Sequence, residues 1–175
     1  AVALVVFFPF LVVGALAILV TMGRPVVFVQ KRIGRDGKLF SIWKLRTMKA
    51  GESVDAPLGM SKNPDDPRVT AVGRVLRRWS IDEIPQFFNV LAGNMSVVGP
   101  RPRLPEEVVS SSVTSRRLRA KPGISGPWQT SGRSLMTLTE ADALDVNYVD
   151  SWSLLGDVVI VLRTIRVVIS GRGAF

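Results

Sequence analysis

Asp82 and Glu83 are neighbouring carboxylates in the string Arg77-Arg78-Trp79-Ser80-Ile81-Asp82-Glu83-Ile84-Pro85, which also carries two guanidiniums. Such an acid pair supports two chemistries. One carboxylate oxygen can attack phosphorus as a nucleophile, and two side by side can hold a hard cation. Neither histidine nor cysteine occurs in the 175 residues, which removes thiolate nucleophiles, imidazole bases and the usual zinc sites. Covalent chemistry in this chain therefore falls to Ser, Thr, Lys, Tyr, Asp or Glu. The competing reading is structural, because Ser80 and Glu83 have the Ser-x-x-Glu spacing of a capping box. A helix capped by Ser80 puts Pro85 inside its early turns, where the ring opposes a carbonyl. A helix beginning nearer Pro85 suits the proline better. Either start leaves both carboxylates close to a helix N-terminus, whose dipole favours the ionised form, and Arg77 and Arg78 push the same way.

Two further basic clusters flank the pair. Lys44 and Arg46, in Lys44-Leu45-Arg46-Thr47-Met48, fall on one face of a strand by its two-residue period. Arg101 and Arg103 sit on the proline-stiffened segment Gly99-Pro100-Arg101-Pro102-Arg103. Guanidinium groups suit bidentate contacts to phosphate, so three clusters around two acids point to a diphosphate site. The alternative for each single cluster is a solvated face or a contact to anionic lipid. Overall there are 23 Lys and Arg against 14 Asp and Glu, a formal charge of +9, which attracts phosphate in any form. Nucleic acid is not expected as a partner: the N-terminus is apolar and aromatic stacking motifs are lacking.

The elements that must position these groups begin with Ala1 to Val20, which hold no charge and match the length of a bilayer span. Hydrophobic residues make up 47% of the chain and mean hydropathy is +0.28, so a membrane is the first partner to suspect. Pro9 kinks the segment, leaving either a spanning helix or a re-entrant one that returns to the same face. The basic Arg24, Lys31, Arg32 and Arg35 put the C-terminal side in the cytoplasm. Val26 to Val29 and Leu39 to Trp43 flank the Asp-Gly turn at Gly34-Arg35-Asp36-Gly37 and predict a β-hairpin. Lys49 to Asp66 reads as a loop. Helices are expected over Thr70 to Trp79, Pro85 to Leu91, Glu106 to Leu118, Glu140 to Tyr148 and Leu154 to Ile169. The last is apolar but carries Arg163 and Arg166, as an interfacial or core-packed helix does. The fold class is α+β, mainly helical, with an apolar N-terminal helix, a hairpin and amphipathic helices around a small catalytic domain.

Several long strings then carry a family resemblance. Arg77-Arg78-Trp79-Ser80-Ile81-Asp82-Glu83-Ile84-Pro85-Gln86, followed by Asn89-Val90-Leu91-Ala92-Gly93-Asn94-Met95-Ser96-Val97-Val98-Gly99-Pro100-Arg101-Pro102, resembles the signature of bacterial monotopic polyprenyl-phosphate phosphoglycosyl transferases. Similarity continues in Lys44-Leu45-Arg46-Thr47-Met48, Asp66-Pro67-Arg68-Val69-Thr70, Lys121-Pro122-Gly123-Ile124-Ser125-Gly126, Tyr148-Val149-Asp150-Ser151-Trp152-Ser153 and Asp157-Val158-Val159-Ile160. The strings Trp128-Gln129-Thr130-Ser131-Gly132-Arg133-Ser134 and Gly171-Arg172-Gly173-Ala174-Phe175 resemble the galactose- and glucose-phosphotransferase type found at the C-terminal end of larger exopolysaccharide-initiating proteins. Phe8-Pro9 stands where the family often has Ser-Pro, and Ala71 where a basic residue is common.

The resemblance implies a membrane segment over 1–23 and a cytoplasmic catalytic domain over 24–175, together the C-terminal part of a longer protein at the bacterial inner membrane. It implies that Asp82 attacks the sugar-bearing phosphate of a UDP-sugar, that UMP leaves, and that polyprenyl (undecaprenyl) phosphate takes the phosphosugar. Mg²⁺ would be held by Asp82 and Glu83, and phosphates by Lys44, Arg46, Arg77 and Arg101. Gln129 and Arg133 would lie near the nucleotide or sugar. UDP-sugar, polyprenyl phosphate and membrane lipid are the expected partners, with a homodimer left open. Three rivals remain: a non-catalytic basic membrane anchor, a nucleic-acid-binding domain, and a hydrolase using the same aspartate. The identity of the sugar is not written in these residues.

Overall fold

A computed structural model of the chain describes residues 2–49, 66–108, 112–131 and 137–170. The uncharged N-terminal run forms one helix, α1 (Val2–Met22), with Pro9 inside it. Its 21 residues extend about 30 Å, long and apolar enough to cross a membrane. Most of its side chains are exposed, but one stripe is not. Ile18 is fully buried with Leu45 and Leu76, and Leu11, Ala15 and Met22 pack around them with Val26, Val72 and Ile81. This is the i, i+4, i+7 pattern of one helix face. Gly14 lets the backbone come close: a Cβ there would lie 3.0 Å from Leu45 Cδ1 and 3.2 Å from Leu76 Cδ2. Nearer the N-terminus, the Phe7 ring stacks on Phe87 with centroids 6.1 Å apart. From Phe7 to Met22, then, α1 lies along the flank of the remaining fold.

The expected hairpin forms. β1 (Val27–Ile33) pairs antiparallel with β2 (Leu39–Leu45), from Val27 opposite Leu45 to Ile33 opposite Leu39. The chain reverses through a 3-10 turn at Arg35–Gly37, where Asp36 (φ 56°) and Gly37 (φ 76°) take the left-handed conformations that Asp-Gly tolerates. Directly opposed residues share a face. Leu45 faces α1, whereas Phe40 and Ile42 face a second core formed with Met95, Val90 and Ile124. By the two-residue period, Arg32 and Lys44 belong to that second face.

Thr70 caps α2 (Ala71–Arg78) by accepting from Gly73 N–H at 3.0 Å. A 3-10 turn over Ile81–Glu83 and α3 (Gln86–Leu91) follow. The carboxamide of Asn89 closes the outer edge of β2, accepting from Trp43 N–H at 3.2 Å and donating to the Ser41 carbonyl at 2.7 Å. β3 (Ser96–Val98) and β4 (Gly123–Ser125) form a short parallel pair that the sequence pattern does not reveal. Then come α4 (Ser112–Arg117), α5 (Pro127–Thr130), α6 (Leu138–Asp150) and α7 (Leu154–Ser170). Among the described residues the architecture is α+β and mainly helical.

One helix differs from its expected bounds. In place of a continuous run over Glu106 to Leu118 there is a 3-10 turn at Pro105–Glu107, and the extended Val108 (ψ 101°) ends it before α4. The Glu107 carboxylate holds that turn by accepting from Leu104 N–H at 2.9 Å. Residues 50–65, the bulk of the expected loop, lie outside the described residues.

Between α2 and the strand exit there is no room for a side chain, since a Cβ on Gly73 would lie 2.1 Å from the Thr47 carbonyl oxygen. Gly73→Ala is expected to destabilise the protein by about 1–3 kcal/mol. The measurement is thermal unfolding of the detergent-solubilised protein, and an unchanged melting temperature would refute this close packing.

Candidate active site

Asp82 and Glu83 occupy the 3-10 turn that links α2 to α3. The chain enters it through Ser80, which is left-handed (φ 53°), and no side-chain cap forms there. The capping box suggested by Ser80 and Glu83 is therefore absent. Glu83 instead reaches across to β2 and accepts from Lys44 Nζ at 2.7 Å. Both partners keep partial solvent access, so this pair contributes little to stability as a surface ion pair.

Asp82 is the buried member, 8% exposed. Burial pushes its carboxyl up to about 7, while the Lys44 charge opposes that rise, Glu83 adds to it and Arg77 opposes it again. Lys44 and Arg77 favour ionisation, but desolvation is the larger effect. Arg77 is half-buried; its Nε donates to Thr47 Oγ1 at 2.9 Å, and it lies within electrostatic reach of Asp82. Its guanidinium pKa is lowered by desolvation, with the Asp82 charge acting against that. Lys44, Arg77, Asp82 and Glu83 are thus brought together by three elements: β2, the end of α2 and the turn after it.

The remaining residues named from sequence are distributed differently. Arg46 parts from Lys44: its guanidinium donates to the carbonyls of Met22 (2.6 Å), Gly23 (2.8 Å) and Arg24 (3.2 Å). The first is the last carbonyl of α1, where a cation is favoured, and the other two belong to the residues just beyond the helix. Arg101 stacks over Trp128 at 4.6 Å, and its own carbonyl accepts from Arg117 Nη2 at 2.7 Å. Gln129 lies on α5 and donates from Nε2 to the Ile124 carbonyl at 3.3 Å. Arg133 lies outside the described residues.

Two features escaped the reading of spacing. Arg32 is buried near Arg101 and within reach of the Glu83 charge; its position on the Lys44 face could have been read from the hairpin register. Behind Arg101 stands a buried ion network: Arg117 pairs with Asp145 at 2.7 Å and lies 3.4 Å from Asp142, which also takes Arg103 at 2.6 Å. Asp145 is 1% exposed, and removing one partner of such a pair costs about 3–5 kcal/mol.

As a metal centre the described residues offer two carboxylate oxygen donors, with no cluster of three or more acidic, His or Cys residues. Two carboxylates are a donor set of the kind Mg²⁺ takes when phosphate oxygens and water fill its remaining positions, but Glu83 here is engaged by Lys44. The desolvated Asp82 charge also gives a cation something to stabilise.

The raised carboxyl has a consequence for stability. Between its ordinary value of 3.8 and about 7, the folded protein holds a proton on Asp82 that the unfolded chain has released. This contribution to stability accordingly falls as pH rises through that window and stays low above it. Asp82→Asn is expected to raise the melting temperature of ligand-free protein at pH 8 by on the order of a few degrees. It should also flatten the dependence between the two pH values. A lower melting temperature in the variant would contradict the burial cost.

Residues 1–171 match the model of the family described as bacterial sugar transferase. The chain is 44% identical over 163 residues to the galactosyl transferase CpsE of Streptococcus agalactiae, covering 87% of the chain and 36% of that protein. It is 41% identical to the exopolysaccharide production protein ExoY of Rhizobium meliloti, covering 99% of the chain and 83% of ExoY. The undecaprenyl-phosphate galactose phosphotransferase of Salmonella typhimurium is 38% identical, covering 87% of the chain but only 35% of its own length. The match takes in α1, the hairpin, the acidic turn and α7 alike, and the chain belongs to the bacterial sugar transferase family.

Proposed function

We propose that the chain is a phosphoglycosyl transferase that moves a sugar-1-phosphate from a UDP-sugar to undecaprenyl phosphate in exopolysaccharide synthesis. The observation that carries this is the buried Asp82 carboxylate, set beside Lys44 and Arg77 in a domain that packs on an apolar helix. Family membership supports it, as do relatives named as undecaprenyl-phosphate galactose and glucose phosphotransferases.

In the proposed reaction an Asp82 carboxylate oxygen attacks the sugar-bearing phosphorus. The bond to the bridging oxygen breaks, UMP leaves, and the phosphosugar remains on Asp82 as an acyl phosphate. An oxygen of undecaprenyl phosphate then attacks the same phosphorus and frees the aspartate. Lys44 holds Glu83 and favours the ionised Asp82, and Arg77 adds a second positive charge where negative charge gathers. Desolvation makes these charges act strongly and keeps water from the acyl phosphate. Asp82 and Glu83 would hold Mg²⁺, which supplies charge neutralisation on the diphosphate.

The docking of α1 bears on topology. Phe7, about 22 Å along the helix from Met22, still touches α3 through Phe87. A helix perpendicular to the bilayer would carry α3 into the far leaflet, whereas an oblique one keeps it at the near interface. The exposed Trp43, Phe88 and Leu91 suit that interface. This docking supports the reading in which the helix enters and leaves on the cytoplasmic face of the inner membrane.

Purified protein given UDP-sugar carrying label in the sugar should release UMP and retain label on protein when lipid is withheld. Asp82→Asn should lose turnover by more than about a hundredfold. Full turnover in that variant would remove Asp82 as nucleophile, and sugar phosphate released equally without lipid would indicate a hydrolase. Glu83→Gln should weaken the response of turnover to Mg²⁺; an unaltered response would place the metal elsewhere. Because the chain has no cysteine, a single Val2→Cys variant tests topology cleanly. An impermeant maleimide should label it from the same side of sealed vesicles as Arg24→Cys; labelling from the opposite side alone would mean that α1 spans.

A further inference from the structure

We propose that Arg32, beside Arg101, binds the nucleotide's own phosphate, the one adjacent to the phosphorus that Asp82 attacks. The inference rests on the proposed function and adds a substrate-binding residue to it.

Arg32 lies on the same hairpin face as Lys44. Lys44 is opposite Phe28, and Arg32 is opposite Phe40, so the two cations stand four residues apart along the strands, about 14 Å. Arg32 lies within electrostatic reach of Glu83, the carboxylate that Lys44 holds. The Arg32 side chain is only 14% exposed, yet it is incompletely satisfied. Nη2 donates to Gln30 Oε1 at 2.6 Å and Nη1 to the Pro102 carbonyl at 3.3 Å, while the buried Nε has no partner. Its ion pair with the Glu107 carboxylate is long, at 4.0 Å.

Arg101 is the neighbour that makes the arrangement costly. Burial, followed by the Arg101 charge, lowers the Arg32 pKa to about 10. Two guanidiniums held together repel, and both are fixed in place. Arg101 is stacked on Trp128 and its backbone is gripped by Arg117, which is anchored in the buried ion network. An anion between them relieves the repulsion and supplies the acceptor that Arg32 Nε lacks.

Position along the hairpin decides which phosphate this is. The Lys44 end is tied to α1, through Leu45 against Ile18 and Arg46 on the last carbonyl of the helix. The Arg32 end approaches the turn, away from that helix. A lipid phosphate arrives from α1, so the far end accepts the water-soluble half of the donor.

The test uses UMP as probe on the purified full chain in nanodiscs, by titration calorimetry and as a product inhibitor. Arg32→Ala should weaken UMP binding and raise KM for UDP-sugar by about tenfold, leaving KM for undecaprenyl phosphate unchanged. Arg32→Lys keeps the charge but loses the planar fork and should fall between the two. If the alanine variant does not fold, the lysine variant carries the test, and wild-type UMP affinity in it would overturn the subsite. A rise in KM for the lipid phosphate alone would also overturn it, by assigning these arginines to the acceptor. Failure of the proposed function looks different: wild-type protein would then neither bind UMP nor release it from UDP-sugars.

Discussion

The packing of α1 against the base of the hairpin is the contact from which the candidate site follows. Ile18 fills the space between Leu45 and Leu76, and Ile81 closes the same cluster. Leu45 is the residue after Lys44, and Ile81 is the residue before Asp82. One apolar wall therefore sets the positions of the cation on β2 and of the acid on the turn. It also contributes to the desolvation that raises the Asp82 carboxyl, since removing water from the turn requires a hydrophobic neighbour. Arg46 secures the wall by satisfying three carbonyls where α1 ends. The apolar helix thus helps to set the turn that carries the two acids, and is more than a tether.

Charge is organised in two grades. Near the acids, Lys44 and Arg77 are partly buried and attached to neutral or acidic partners that leave them able to act on an incoming anion. Further back, Arg103, Arg117, Asp142 and Asp145 neutralise one another in the interior. Replacing such a buried network with apolar residues can leave stability unchanged, so its value here is orientation. It holds the carbonyl of Arg101 and hence the place from which that guanidinium reaches.

Much of this was readable before the fold was known. The hairpin followed from an Asp-Gly turn between alternating apolar runs, and the acid pair from its arginine surroundings in a chain without histidine. The parallel pair β3–β4 was hidden because each strand has three residues and is bounded by Gly and Pro, too short for a period to register. The break between Glu106 and α4 was hidden because local propensity does not report the extended backbone at Val108. Arg46 shows a different limit. Its spacing from Lys44 suggested a common task, but β2 ends at Leu45, and beyond that point the two-residue rule no longer governs where a side chain goes. Ser80 misled in a similar way, its left-handed backbone turning the hydroxyl out of a capping role.

The carboxamide of Asn89 has a wider consequence. A two-stranded hairpin ordinarily offers its outer strand to any extended chain that passes, which is the usual route to unwanted association between sheets. Here one side chain, 4% exposed, uses its acceptor on Trp43 and its donor on Ser41, imitating the backbone of a third strand. At the far end of β1, Ile33 is likewise bridged to Arg103. The donor and acceptor that a newcomer would need at the middle of β2 are already taken. The middle of β2's outer edge is thus closed to strand addition by a side chain.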